Sequence, residues 1–172
     1  MFRKADMQDL DRIAEIYDEI HAEEEAGRTT IGWIREIYPT KETAKDSILK
    51  GDMFVEVQDG LIVAAAKINQ DQVPVYEDAA WQYEVPEDKV MVLHTLVVSP
   101  EEKGKGYGTE FVYFYEKYAL ERGCGYLRMD TNARNQGARA LYKKLGYEEV
   151  SIVPCVFNGI PGVQLVCLEK KL

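Results

Sequence analysis

Apolar residues at Leu10, Ile13, Ala14, Tyr17 and Ile20 recur at the spacing of one buried helical face, behind an Asp6 suited to cap it and ahead of Gly27. A shorter segment around Trp33, Ile34 and Ile37 stops before Pro39, and Thr40 opens another helix through Ala44, Ile48 and Leu49 as far as Gly51. The period then changes. Residues 53–57 and 61–68 are β-rich runs, and Gln58-Asp59-Gly60 between them predicts an antiparallel hairpin. After a polar stretch, residues 90–98 read as a strand ended by Ser99-Pro100, and residues 106–122 as a helix with Phe111, Tyr115, Tyr118 and Ala119 on one face. A strand over 126–131 follows, then a helix from Asn135 with Ala138, Leu141, Tyr142 and Leu145 on its inner stripe, and strands near 147–153 and 163–168. The order is helices, a hairpin, then β-α-β-α-β-β.

A length of 172 residues with 46% hydrophobic content suits one domain spanning residues 1–172. No apolar run approaches the roughly 18 residues that cross a bilayer, and the N-terminus lacks the pattern of a signal peptide, so the expected location is cytoplasmic. A formal net charge of -9 argues against nucleic-acid or anionic-membrane partners and is compatible with a cationic small molecule. Cys124, Cys155 and Cys167 lack the paired spacing of metal or redox sites and read as reduced structural thiols, with no metal expected. A monomer or a homodimer is expected.

The most informative segment runs from Val97 to Gly108, a strand passing through Lys103-Gly104-Lys105-Gly106-Tyr107-Gly108 into a helix. Loop amides and those of a first helical turn lack internal partners, so with the helix dipole they can hold a pyrophosphate, provided that no side chain blocks its approach. Lys103 and Lys105 add positive charge. A P-loop requires Ser or Thr after Gly-Lys, where Gly106 stands here, and the dinucleotide pattern needs its third Gly one position beyond Gly108.

The segment from Lys103 to Gly108 resembles the pyrophosphate motif of the GCN5-related N-acetyltransferase (GNAT) family, with Lys103 in place of the usual Arg or Gln. The resemblance continues through the stretch from Leu127 to Asn135 and from Ala140 to Tyr147, and covers roughly residues 90–150. It implies a mixed α/β fold with a mostly antiparallel central sheet flanked by helices. It further implies acetyl-CoA as cofactor, gripped by the residues from Lys103 to Thr109, with pantetheine between splayed strands near Leu96, Val97, Val98 and Asp130. In the family the residue matching Tyr142 protonates the CoA sulfur, and that matching Asn135 contacts the pantetheine arm.

Acetyl transfer by direct attack on the thioester needs a neutral amine, a stabilised oxyanion and a proton for the departing thiolate. Tyr142 lies two helical turns from Asn135 on the same face and is the expected acid. His94 is expected on one strand face with Leu96 and Val98, and His94-Thr95-Leu96-Val97-Val98 is similar to the corresponding strand of arylalkylamine acetyltransferases, where a His serves as base. His21 reads as a solvated or packing residue. Between residues 69 and 89 acids outnumber bases and are interleaved with Tyr76, Trp81 and Tyr83, which together with Asp130 and the first helices could line a site for an ammonium ion. The competing reading is an acyl-CoA-binding or regulatory module without catalysis, and a nucleotide-dependent enzyme is a third.

Overall fold

The computed structural model describes residues 1–172. In chain order its elements are β1 (Phe2–Lys4), α1 (Leu10–Glu25), α2 (Lys41–Leu49), β2 (Met53–Gln58), β3 (Leu61–Asn69), β4 (Val90–Val98), α3 (Tyr107–Glu121), β5 (Tyr126–Asn132), α4 (Gln136–Lys144), β6 (Glu148–Phe157) and β7 (Ile160–Lys171). They form one 7-stranded sheet in the order β1-β2-β3-β4-β5-β7-β6. Only β4 and β5 run parallel, so the expected mostly antiparallel sheet flanked by helices is what the chain adopts. Strand β1 is too short to leave a periodic signature. The segment around Trp33 contains no helix, only a bridge between Ile34 and Tyr38.

Asp6 caps a short 3₁₀ turn ahead of α1, sharing a capping box with Asp9, and Arg3 closes on Asp9 at 2.6 Å, which ties β1 to the helix. One sheet face is covered by α3 and α4, where Phe111, Val112, Tyr115, Ala119 and Tyr142 pack on Met91, Leu93, Leu127 and Met129. On the other face, Ile13, Ile16, Tyr17 and Ile20 of α1 and Ala44 and Ile48 of α2 cover Met53, Val55, Ala65 and Val97. Beyond them Tyr76 packs on Val90, Val92, Leu165 and Cys167. Each fully buried Leu, Ile or Phe contributes roughly 1.5–3 kcal/mol by leaving water, so both faces are needed to hold the sheet.

Two irregularities interrupt the middle of the sheet. The β4–β5 ladder runs only from Val90 with Tyr126 to Leu93 with Met129, beyond which the strands part. Just past that point β4 bulges: Lys67 opposes His94 and Ala65 opposes Val97, so Ala66 faces two residues, one of them Thr95 at φ 53. A left-handed β-branched residue costs about 1–3 kcal/mol, and the Thr95 hydroxyl is held by that of Tyr38. The bulge overturns the expected alternation. Leu93, Leu96 and Val98 share the face covered by α3 and α4, whereas His94 turns to the opposite side.

Residues 69–89 are tied to the sheet by a buried ion pair between Arg128 of β5 and Glu169 of β7, 3.5 Å apart. The Arg128 guanidinium donates to Gln72 Oε1 at 2.6 Å and to the Tyr83 carbonyl at 2.8 Å, and it stacks 4.3 Å from the Trp81 ring centroid. Glu169 accepts the Gln82 amide at 2.8 Å. Breaking one half of such a pair strands a charge in the core. Arg128→Ala is therefore expected to lower stability by about 3–5 kcal/mol and to raise hydrogen exchange between residues 69 and 89. Urea unfolding with mass-spectrometric exchange checks both, and wild-type protection of that segment would refute the anchoring.

Candidate active site

Where β4 and β5 part, two cavities meet. One, of about 550 Å³, runs from the glycine loop past Leu96, Val97 and Val98 to Asp130, Asn135 and Tyr142. The other, of about 540 Å³, lies toward α2 and reaches His94. Tyr38, Thr95, Asp130, Phe157 and Asn158 border both. A ladder that continued past Leu93 would close this passage.

Ser99, fully buried, starts the loop: its amide donates to the Val63 carbonyl at 2.8 Å and its hydroxyl to Glu19 of α1 at 2.9 Å. Gly104 and Gly106 then take φ +83° and +89°, a region that glycine enters freely, and a Cβ on either would project into open space. Gly108 has another role, because a Cβ there would stand 3.4 Å from Leu141 of α4. The amides of Gly104, Lys105, Gly106, Tyr107, Gly108 and Thr109 have no acceptor within the chain. With the N-terminal end of α3 behind them, these donors form a cradle for a polyanion. Lys105 adds less charge than expected, since it pairs with Glu102 at 2.6 Å. The side chains of Lys105 and Thr109 stand outside the cavity, whereas Lys103 and Tyr107 line it.

Asn135 caps α4, its Oδ1 accepting the Ala138 amide at 3.2 Å, which leaves its side-chain NH₂ free in the cavity wall. Burial pushes the Tyr142 phenol well above its usual pKa, with the charge of Asp130 acting in the same direction, so it stays protonated. Its hydroxyl makes no hydrogen bond within the chain. Asp130, the first residue of β5 beyond the paired stretch, accepts the Tyr76 hydroxyl at 2.6 Å on Oδ2. Burial pushes its carboxyl up to about 6 despite that bond.

His94 lies in the second cavity, its Nε2 donating to Asn69 Oδ1 at 2.8 Å. Burial, with Lys67 nearby, pulls its pKa down to about 3. Among the expected substrate aromatics, Tyr76 reaches the site only through Asp130. Trp81 and Tyr83 line neither cavity: Trp81 packs on Tyr76 and Arg128, and Tyr83 packs against Tyr126. The reason is the Arg128 anchor, which turns both rings toward the sheet. His21 is a packing residue, bonded to the Pro39 carbonyl at 2.9 Å. The three cysteines are unpaired.

Sequence reasoning missed Trp33, Tyr38, Phe157 and Asn158 in the cavity walls. Glu24 places the first of these segments, accepting the amides of Ile31 at 2.7 Å and Gly32 at 2.9 Å. Two carboxylate bonds to successive amides leave no periodic trace; the one local signal is Gly32 beside Trp33, at φ +87°.

The sequence model of the acetyltransferase (GNAT) family matches residues 11–147. Among curated proteins, an uncharacterized N-acetyltransferase of Methanocaldococcus jannaschii is 32% identical over 76 residues, 44% of this chain and 34% of that protein. A thialysine N-epsilon-acetyltransferase of Bos taurus is 30% identical over 71 residues, 41% of this chain and 42% of that protein. The matched stretches thus span less than half the length of these relatives. A GNAT-family acetyltransferase structure from Streptococcus agalactiae superposes with a TM-score of 0.81 at 22% identity, covering 100% of this chain and 95% of that one. A Salmonella typhimurium structure solved with its cofactor acetyl-CoA gives a TM-score of 0.72 at 16% identity, covering 100% and 93%. At these identities the structural likeness concerns the fold.

The cradle predicts how the loop responds to a methyl group. Gly106→Ala forces a side chain into left-handed backbone at φ +89° and is expected to weaken binding of a diphosphate-bearing ligand about tenfold or more, equivalent to ~1.4 kcal/mol. Calorimetry with coenzyme A and with pantetheine, which lacks the diphosphate, separates the effects: the variant loses affinity for the diphosphate-bearing ligand only.

Proposed function

The chain belongs to the GNAT acetyltransferase family, and from that membership we propose that it is an N-acetyltransferase moving the acetyl group of acetyl-CoA onto the primary amine of a small cationic acceptor. One observation carries the reading: the unpartnered amides of Gly104, Gly106, Tyr107 and Gly108 and the unpartnered Tyr142 hydroxyl open onto the same cavity. The amides suit the diphosphate, and the β4 edge beyond Leu93, no longer paired with β5, leaves backbone groups near Leu96 and Val98 to pair with the pantetheine amides. Asn135 offers its NH₂ along the same path. Acetyl-CoA supplies an activated thioester carbonyl, and a neutral Tyr142 is suited to give its proton to the thiolate that leaves.

The second cavity supports the acceptor class. Glu42, Asp46, Asp71 and Asp130 border it against Lys50 and Lys67, an excess of negative charge that favours an ammonium group. It opens on the sheet face opposite α3 and α4, so acceptor and donor would approach the fork from different sides and react by direct attack. Trp81 and Tyr83 take no part in this version of the acceptor site. No helix is long and apolar enough to cross a membrane, and the reading needs no membrane or nucleic-acid partner.

Thiol release from acetyl-CoA is expected with amines, faster with diamines and lysine-like amines than with neutral or acidic ones. Tyr142→Phe is expected to lower kcat by about 10²-fold with the KM for acetyl-CoA little changed. Steady-state kinetics over an amine panel measures both. Coenzyme A binding without turnover of any amine would favour an acyl-CoA-binding module instead, and an undiminished kcat would remove Tyr142 as the acid.

A further inference from the structure

Resting on the transferase reading, we propose that Asp130, not His94, is the base that takes the proton from the incoming ammonium group, with Tyr76 as the residue that positions it. Placement on the sheet favours Asp130. On β5 the side chains alternate: Leu127 and Met129 enter the cluster under α3 and α4, while Arg128 and Asp130 point to the face that carries Tyr76 and the second cavity. Asp130 is the first residue beyond the last β4–β5 pair, so the strand that would cover it has turned away. It therefore borders both cavities, on the acceptor side of the fork, across the open seam from Tyr142. His94 borders the second cavity alone, with one ring nitrogen committed to Asn69.

Charge points the same way. The groups facing Asp130 are the phenols of Tyr38, Tyr76 and Tyr142 and the thiols of Cys155 and Cys167, each with its pKa raised and none of them cationic. Arg128, the nearest arginine along β5, is committed to Glu169. Asp130 forms no ion pair, and its Oδ1 makes no hydrogen bond within the chain. A carboxylate held by a single phenol in the wall of a cavity is costly unless a cation arrives, and an ammonium ion meets that need. Its carboxyl, pushed up to about 6, is ionised at neutral pH and still basic enough to take a proton. The imidazole of His94, pulled down to about 3, is a weaker acceptor.

The protons balance. An alkylammonium ion loses one proton to Asp130 and attacks the acetyl carbonyl with the freed lone pair; the C–N bond forms as the C–S bond breaks. Tyr142 protonates the thiolate, and the second proton of the former amine restores the phenol, directly or through water. Asp130 returns its proton to solvent, so the net products are the amide, free thiol and one proton.

Ethylamine and trifluoroethylamine test this, being alike in size while the first is charged at neutral pH and the second largely neutral. Asp130→Asn keeps an acceptor for Tyr76. It is expected to lower kcat/KM for ethylamine about 10²-fold and for trifluoroethylamine far less. Wild-type kcat/KM for ethylamine should fall as pH drops through about 6, where Asp130 gains its proton. In Tyr76→Phe that limb should move to higher pH, because the lost hydroxyl had stabilised the carboxylate; this second variant decides the matter if Asp130→Asn does not fold. Equal losses for both amines, an unmoved limb in Tyr76→Phe, or a limb abolished by His94→Gln instead would each overturn the assignment. A wild-type protein that binds coenzyme A but acetylates no amine of the panel would overturn the transferase reading and this assignment with it, whereas normal turnover by Asp130→Asn would sink the assignment alone.

Discussion

The separation of β4 from β5 after Leu93 and Met129 is the constraint on which the site depends. Two parallel neighbours in the middle of a sheet would ordinarily continue pairing, because every unpaired amide and carbonyl left dry carries a penalty. Here the bulge at Thr95 redirects β4, and the freed groups face a cavity. The strained Thr95 backbone is tolerated because Tyr38 bonds its hydroxyl and because the flanking strands are buried on both faces. Distortion at one residue thereby opens a seam between the two halves of the sheet.

The seam gives each face its own chemistry. Under α3 and α4 lie the glycine loop, Leu96, Val98 and Tyr142; on the other side lie Asp130, His94 and the acids near α2. An acidic protein that binds a polyanion faces an electrostatic difficulty, and formal charge resolves it only in part here, since Lys103 lines the cavity but Lys105 is neutralised by Glu102. Main-chain amides do better. They are dipoles already fixed by the turn and by α3, so they attract the anion without placing a further cation in the site.

Carboxylates also organise the loops around the site. Glu24 accepts successive amides of the segment leading to Trp33, and Glu169 with Arg128 holds residues 69–89 against β5 and β7. Both are pairings between distant parts of the chain. In sequence the 69–89 stretch shows acids beside aromatics, a pattern that suits a cation-binding surface as well as an anchored strap. The guanidinium of Arg128 takes the position under Trp81 that an external cation was expected to take.

By itself the sequence determined what local spacing encodes. Periodicity located the helices and most strands, Asp59-Gly60 set the hairpin, and the glycine pattern before α3 marked the anion cradle, because a positive φ and an unoccupied Cβ are properties of single residues. That Tyr142 and Asn135 would line one cavity was legible because one lies on α4 and the other caps it, where geometry is regular. Tertiary structure alone decided that His94 and Leu96 face opposite ways, since a strand's alternation holds only until a bulge, and this bulge depends on Tyr38 and on the register with β3. It also decided that Asp130 stands uncovered while Trp81 and Tyr83 are turned away, outcomes set by which strand ends first and by which buried arginine an insertion finds. Contacts of that kind join residues far apart in the chain, and no pattern along it records them.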